Sequence, residues 1–167
     1  MPAHPTELPA PAFAPHDHAA CISRSLATVE AVAEARGLRL TPVRRRTLEI
    51  LLEAHRALGA YDVLARLSAD GFGAQPPIAY RALDFLTRAG FAHRIELLNA
   101  FVACAHPGVA HDPAFLICRD CHRVAETAVV APGEGPVAGL ARALGFRVEA
   151  TVIEAEGLCP ACLPATP

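Results

Sequence analysis

The chain lacks the sequence features of membrane and secreted proteins. No stretch approaches the roughly 18 uninterrupted apolar residues of a membrane-spanning helix, so no membrane partner is expected. The first residues show no basic segment followed by an apolar one, and prolines interrupt them, which argues against a signal peptide. We therefore expect a cytoplasmic protein, in which paired cysteines more often bind metal than form disulfides.

The motifs of zinc enzymes are also missing. The sequence contains no HExxH, and no HxE that is partnered with PCxxC, which excludes the usual zinc hydrolases and deaminases. A catalytic metal needs an open ligand position and a base beside it. We expect no enzymatic activity.

Lysine is absent, and the arginines are unevenly distributed. Residues 21–94 contain eleven arginines and seven acidic residues, whereas residues 95–167 contain four arginines and eight acidic residues. The formal net charge of −2 conceals this difference. A basic first half and an acidic second half are expected if only the first half binds a polyanion.

The first 103 residues contain helical patterns and one strand pair. Residues 1–20 are rich in proline and alanine and are expected to be a disordered tail. Residues 21–103 follow, with helices predicted from Ser23 to Gly37, from Thr41-Pro42 onward, and across GAYDVLARLSADG and QPPIAYRALDFLTRAG. FAHRIELLNAFVACA then predicts a hairpin. This order is typical of a winged helix-turn-helix domain, and the arginine excess favours it.

The pattern changes after a hinge predicted at residues 104–110. In residues 111–167, AFLICRDCHRVAETAVV predicts two strands around a cysteine turn, and GPVAGLARALG predicts a helix. FRVEATVIEAEGL alternates like a further strand. The predicted fold class is α+β, with an N-terminal winged helix-turn-helix domain followed by a small α/β domain.

Four of the six cysteines form two CxxC pairs, which are Cys118, Cys121, Cys159 and Cys162. Two such turns supply the four thiolates of a closed tetrahedral zinc site, which suits a structural role. The 37 residues between the pairs exceed the usual zinc-ribbon spacing of about 15–20. The ion would therefore join the last strand to the first. Thiol redox chemistry is the alternative, although neither pair opens a helix in a thioredoxin-like context.

Several motifs together resemble the ferric uptake regulator family, and most of all its zinc-sensing branch. They are LTPVR, AYDVL, PPIAYRALDFLTRAGFAHRIE, FLICRDC and VIEAEGLCPAC, and the resemblance covers roughly residues 25–163. It implies a dimeric, metal-responsive repressor of zinc-uptake genes that binds double-stranded operator DNA through its winged helix and dimerises through its C-terminal domain. It also implies two zinc ions per chain, one structural and one regulatory.

The resemblance further implies a sensing site made of His93, Cys104, His111 and Glu126. One thiolate, two imidazoles and one carboxylate are a suitable tetrahedral zinc shell. The thiolate argues against the main alternative, an iron-, manganese- or peroxide-sensing member of the same family.

Other interpretations of these residues remain open. His93 could end a helix, Cys104 could be a small buried apolar side chain, and Glu126 could be a solvated strand residue. His106 could replace His111 as a ligand. A DNA-binding protein with only a structural zinc is a further alternative. Additional metal donors are His122 and the tail residues His16, His18 and Cys21.

The fourth helix is the candidate recognition helix. Arg81 can present its guanidinium to guanine in the major groove, and Tyr61 is expected to act with it. Tyr80 could contact the DNA backbone, and Arg44 and Arg45, with Arg46, are candidate phosphate contacts. The alternative for this arginine run is a solvated helix face. Related proteins commonly have PPTVYRAL, but this chain has Ile78 and Ala79, whose side chains donate no hydrogen bond.

Overall fold

The computed structural model describes residues 12–13, 17–53, 55–130 and 135–164, with the side chains of 128–130 left undescribed. The N-terminal part contains four helices and a hairpin, which are α1 (His18–Ala35), α2 (Pro42–Leu52), α3 (Ala60–Ala69), α4 (Pro76–Arg88), β1 (Ala92–Ile95) and β2 (Ala100–Ala103). The C-terminal part contains β3 (Asp112–Cys118), β4 (Val124–Val130), α5 (Ala138–Ala143) and β5 (Ile153–Gly157). The predicted α+β fold class is confirmed.

Helix α1 begins at His18, five residues before the predicted start. The carboxylate of Asp17 accepts a hydrogen bond from the backbone N–H of Ala20 at 3.1 Å, which satisfies one of the free donors of the first turn. Because of this cap, the helix begins within residues 1–20, which the proline and alanine content predicted to be a disordered tail. Helix α2 begins as predicted, with Thr41 as N-cap and Pro42 in its first turn.

The four helices enclose one apolar core. Its fully buried members include Leu48 of α2, Val63 and Leu67 of α3, and Leu83 and Leu86 of α4. Strands β1 and β2 pair antiparallel directly after α4 and form the wing. Packing in this core fixes the positions of α3 and α4 relative to the wing. The exposed face of α4 therefore has a defined position on the surface.

The C-terminal sheet has the strand order β4-β3-β5, with β4 antiparallel and β5 parallel to β3. The last strand is shorter than predicted, because residues 146–152 are not part of it. Its pairing with β3 begins at Ala114, and the preceding Pro113 has no N–H to donate to a ladder.

The wing packs against the C-terminal sheet through a second apolar cluster. Ile95 and Val102 of the wing meet Phe115, Ile117 and Val124 of the sheet, and all five are buried. This interface places the end of β2 beside β4. No helix in the described ranges is long and apolar enough to cross a membrane.

Candidate metal centres and DNA-binding surface

The four CxxC cysteines meet at one point. Their sulfurs lie within 4.8 Å of one another, and the sulfurs of Cys121 and Cys159 are 3.7 Å apart. Cys118 ends β3, and the turn after it is closed by a hydrogen bond from the N–H of His122 to the carbonyl of Cys118. The turn after β5 brings Cys159 and Cys162 to the same place. The four cysteines therefore meet where the two parallel strands β3 and β5 end.

The ionisation of these thiols suits a bound cation. Backbone N–H donors, first that of Cys121 and then that of Cys159, lower the pKa of Cys118 to about 6. The hydrogen bond with Cys159, followed by burial, raises the pKa of Cys162 to about 12. The Cys118 thiolate forms readily, whereas the raised pKa values of Cys121 and Cys162 oppose their ionisation. A bound divalent cation would stabilise the four thiolates together.

The second cluster contains all four predicted sensing residues, His93, Cys104, His111 and Glu126, and their donor atoms lie within 4.8 Å of one another. Oε1 of Glu126 lies 2.7 Å from Nε2 of His111 and 3.1 Å from Nε2 of His93. The sulfur of Cys104 lies 3.8 Å from Oε1 of Glu126 and 3.9 Å from Nε2 of His111. One thiol, two imidazoles and one carboxylate thus surround a single small volume.

These four residues come from both parts of the molecule. His93 lies on β1, and Cys104 directly follows β2 at the start of the predicted hinge. His111 directly precedes β3, and Glu126 lies on β4. An ion bound by all four would connect the N-terminal part to the C-terminal sheet.

Backbone contacts orient two of these donors. Nδ1 of His111 lies 2.7 Å from the carbonyl oxygen of Val109, and because a carbonyl only accepts, Nδ1 carries the proton. Nε2 is then the ring nitrogen that faces the carboxylate of Glu126, 2.7 Å from Oε1. A zinc ion bound there would take Nε2 and the carboxylate as ligands. The other carboxylate oxygen of Glu126 accepts the N–H of Ala105 at 2.7 Å.

Burial and charge prepare the site for a positive ion. Burial first, and the charge of the Glu126 carboxylate second, raise the pKa of the Cys104 thiol to about 12. Burial also raises the pKa of Glu126, but the hydrogen bond and charge of His93, with the hydrogen bonds of Ala105 and His111, together keep that pKa below its ordinary value. The donor set fits Zn²⁺, on whose binding Cys104 would lose its proton.

The remaining candidate donors do not join either cluster. His106 contributes through its backbone, because its N–H lies 3.3 Å from the sulfur of Cys104. His122 is exposed, and His18 lies beside His55 and the carbonyl of Glu53. Cys21 is outside both described groups, and His16 lies outside the described residues.

The candidate recognition surface is exposed on α3 and α4. Arg81 is exposed in the first half of α4. Tyr61 is 67% exposed, and its ring meets that of Tyr80 edge-on at 6.5 Å. Sequence reasoning missed Arg94 and Asn99, a hydrogen-bonded pair at the exposed edge of the wing. The outward position of Arg94 in the alternating pattern of β1 was the available signal.

Intramolecular contacts engage the arginines at the start of α2. The guanidinium of Arg44 lies 3.6 Å from the centroid of the Phe85 ring and donates to the carbonyl of Arg39. Arg45 pairs with Glu30 and Glu49. Arg46 pairs with three carboxylates, those of Glu49, Glu53 and Asp70. These pairs compete with the phosphate contacts that the sequence predicted for this run.

Ile78 and Ala79, the two unusual residues of α4, both contribute to packing. Ala79 is buried, and Ile78 packs against the N-terminal core. A Cβ atom at Gly73 would lie only 2.8 Å from Cδ1 of Ile78. Ile78 therefore occupies space that is open because residue 73 is glycine.

Comparison with known proteins agrees with this architecture. The zinc uptake regulation protein of Escherichia coli (strain K12) is 39% identical over 139 residues, which cover 83% of this chain and 81% of the relative. The chain belongs to the zinc uptake regulator family. No family model matches it.

Two solved structures of this family have the same fold. A zinc uptake regulator complexed with zinc and DNA is 37% identical, with a TM-score of 0.75 over 84% of this chain and 94% of that chain. The holo form of XcZur is 39% identical, with a TM-score of 0.69 over 84% of this chain and 97% of that chain. Membership of this family and the two thiol-containing clusters are both consistent with zinc binding.

Proposed function

We propose that this protein is a zinc-responsive transcriptional repressor that binds double-stranded operator DNA of zinc-uptake genes. The observation that carries the proposal is the convergence of four donors from the wing and the C-terminal sheet, His93, Cys104, His111 and Glu126. We also propose that it acts in the cytoplasm and has no enzymatic role, as a relative of transcription regulators.

In the proposed mechanism, the chain binds two zinc ions. Cys118, Cys121, Cys159 and Cys162 would hold the structural ion and thereby join β5 to β3. His93, Cys104, His111 and Glu126 would hold a regulatory ion, which would cross-link the two parts of the chain. The hydrogen bond that orients His111 and the lowered pKa of Glu126 prepare two of these ligands.

DNA binding is proposed to follow from the position of the wing. His93 and Cys104 hold the wing against His111 and Glu126, and residues 104–110 act as the hinge between them. When these four ligands share an ion, α4 and the wing keep one orientation, in which Arg81 and Tyr61 meet the operator. A coupling of about 1–3 kcal/mol, or roughly 5–150-fold in affinity, is typical of such linkage.

The proposed active form is a homodimer. The C-terminal part exposes large apolar side chains around α5, where Leu144 is 73% exposed and Phe146 is 68% exposed. Other exposed large apolar side chains of the C-terminal part are Leu116, Val137, Leu140 and Val152. An apolar surface of this kind favours a partner of the same chain, and two winged helices would then meet two operator half-sites.

The test is a zinc titration of chelator-treated protein against a labelled candidate operator, with metal counted per chain. Wild-type protein is expected to hold two ions, one of them easily removed, and to bind the operator only when both are present. Fe²⁺ and Mn²⁺ are expected to restore binding poorly, because Cys104 favours zinc.

The matched variants are Cys104→Ser and Cys21→Ser. Cys104→Ser should stay folded and dimeric, retain one ion and lose zinc-dependent binding. Cys21→Ser removes a thiol outside both clusters and should match wild type. Zinc-dependent operator binding by Cys104→Ser would refute the proposed sensing site.

A further inference from the structure

One row of side chains across the C-terminal sheet faces the wing. Phe115 in the central strand pairs with Glu126 of β4 on one side and with Glu154 of β5 on the other. Side chains at paired positions of neighbouring strands project to the same face of a sheet. Glu126 and Glu154 therefore flank Phe115 on the face that meets the wing.

Each member of the row contacts the wing at a different point. Glu126 lies beside His93 in β1, and the ring of Phe115 lies 5.3 Å from the ring of His93, centroid to centroid. Glu154 contacts the turn that joins β1 to β2. Its Oε1 accepts the N–H of Glu96 at 2.7 Å, and its Oε2 accepts the N–H of Leu97 at 2.9 Å.

The hydrogen bonds of Glu154 are directional, whereas the contacts of the apolar interface are not. A carboxylate that accepts two consecutive backbone N–H groups fixes both the distance and the angle of the turn, and bonds to an ionised acceptor are stronger than neutral ones. The cluster around Phe115 favours contact but does not depend on orientation. Residues 55–57 also pair with residues 122–124 of the C-terminal part, and Leu58 pairs with Phe101 of β2. Glu154 adds a directional contact at a different point, the turn between β1 and β2.

We propose that Glu154 is a positioning residue, an additional, metal-free anchor at the turn of the wing that contributes to setting the zinc concentration required for DNA binding. This inference rests on the proposed zinc-dependent DNA binding. His93 would anchor the wing in β1 when zinc is bound, and Glu154 anchors it at the turn. Together with the pairing of residues 55–58, these contacts at separate points restrict the rotation of the wing.

The consequence for zinc follows from linkage. Glu154 stabilises the arrangement in which His93 and Cys104 already face His111 and Glu126. Loss of this contact lowers the population of that arrangement, and the apparent zinc affinity falls by the same factor. DNA affinity at limiting zinc falls with it, since the two binding events are reciprocal.

The test compares Glu154→Gln with Glu156→Gln in the full-length protein. Glutamine removes the charge and can accept only one of the two N–H groups. Glu156 lies two residues further along the same strand and is exposed, so its variant is a matched control. Three measurements apply, which are zinc affinity by competition with a chromophoric chelator, operator binding across a zinc titration, and hydrogen exchange of the 95–99 segment.

For Glu154→Gln, we expect an about tenfold higher zinc concentration at half-saturation, within the usual range of coupling energies. Operator affinity should recover at saturating zinc, and exchange should accelerate at Glu96 and Leu97. The structural zinc and the thermal midpoint should stay close to those of Glu156→Gln. If Glu154→Gln folds poorly, Glu154→Asp, which keeps the charge but is too short to bridge both donors, gives the same comparison.

The outcomes separate this inference from the proposed function. Wild-type zinc dependence together with an unchanged half-saturation point in Glu154→Gln would overturn the positioning role alone. Equal loss of both zinc ions in Glu154→Gln and Glu154→Asp would also overturn it, because Glu154 would then support the fold in general. If wild-type protein shows no zinc-dependent operator binding, the proposed function fails, whatever the exchange rates at the turn.

Discussion

Nε2 of His93 on the wing lies 3.1 Å from Oε1 of Glu126 on the C-terminal sheet, and this pair spans the boundary between the two parts of the chain. The same carboxylate oxygen meets His111 at 2.7 Å, so two imidazoles from opposite sides of the boundary converge on one acceptor. The remaining carboxylate oxygen is held by the backbone of Ala105. Glu126 is thus fixed in place and is the centre of the proposed sensing site.

Replacement of Glu126 with glutamine tests this central position. The change removes the negative charge that faces both imidazoles, so zinc affinity should fall by at least the roughly 10–100-fold that loss of an outer-shell partner costs. The structural zinc should remain, because its four sulfurs lie in a separate cluster. Metal analysis and chelator competition measure both effects. If the affinity of the proposed sensing site for zinc is unchanged, Glu126 is not a ligand.

The second prediction concerns the four-cysteine site. Cys121→Ser removes one of the thiolates that join the ends of β3 and β5, and it should release the tightly bound zinc and destabilise the C-terminal sheet. For a chain of this size, each kcal/mol lost lowers the thermal midpoint by about 2–4 °C. We expect a decrease of roughly 10 °C, measured by circular dichroism, with Cys21→Ser as the control. A variant that keeps its metal and its thermal midpoint would contradict a structural role.

The sequence predicted the hairpin after α4 and the meeting of the two cysteine pairs because their signals are short, whereas the recognition role of α4 and the metal ligands stay predictions. A CxxC turn and a glycine after a helix act over a few residues, and the resemblance supplied His93, Cys104, His111 and Glu126. The Asp17 cap was missed because one side chain outweighed the composition around it. The contact of Glu154 with the turn could not be predicted, since its hydrogen-bond partners lie 58 and 57 residues away in the sequence. The alternating pattern around Glu154 indicates only an acidic residue on a strand.

The third prediction separates base contacts from general electrostatics at Arg81. Arg81→Ala should weaken operator binding by about 1–3 kcal/mol and relax the preference at one base pair, as expected for loss of a bidentate contact. Arg24→Ala removes the same charge from the exposed surface of α1 and should change affinity little. Binding assays with wild-type and single-substituted operators measure both. A uniform loss across all operators would mean that Arg81 contacts phosphate instead.

The last prediction concerns the loop that carries His106 and His111. Gly108 has a φ of +88°, and a Cβ atom there would lie 2.7 Å from Cγ2 of Val32 in α1. The carbonyl of Gly108 also accepts a hydrogen bond from Arg36, which donates to the carbonyl of Ala89 at the end of α4. Gly108→Ala should therefore strain the backbone and push the loop away from α1.

We expect Gly108→Ala to lower the free energy of unfolding by more than about 1 kcal/mol and to weaken the sensing zinc, while the structural zinc is retained. Gly139→Ala is the control, because Gly139 lies in α5, where a Cβ atom meets nothing within 4 Å. Adding Val32→Ala to Gly108→Ala removes the steric clash with α1 but leaves the backbone strain at position 108. Denaturant unfolding of the single and double variants separates the two contributions. Equal stability of Gly108→Ala and Gly139→Ala would show that the loop tolerates a side chain and that its contact with α1 does not constrain the sensing site.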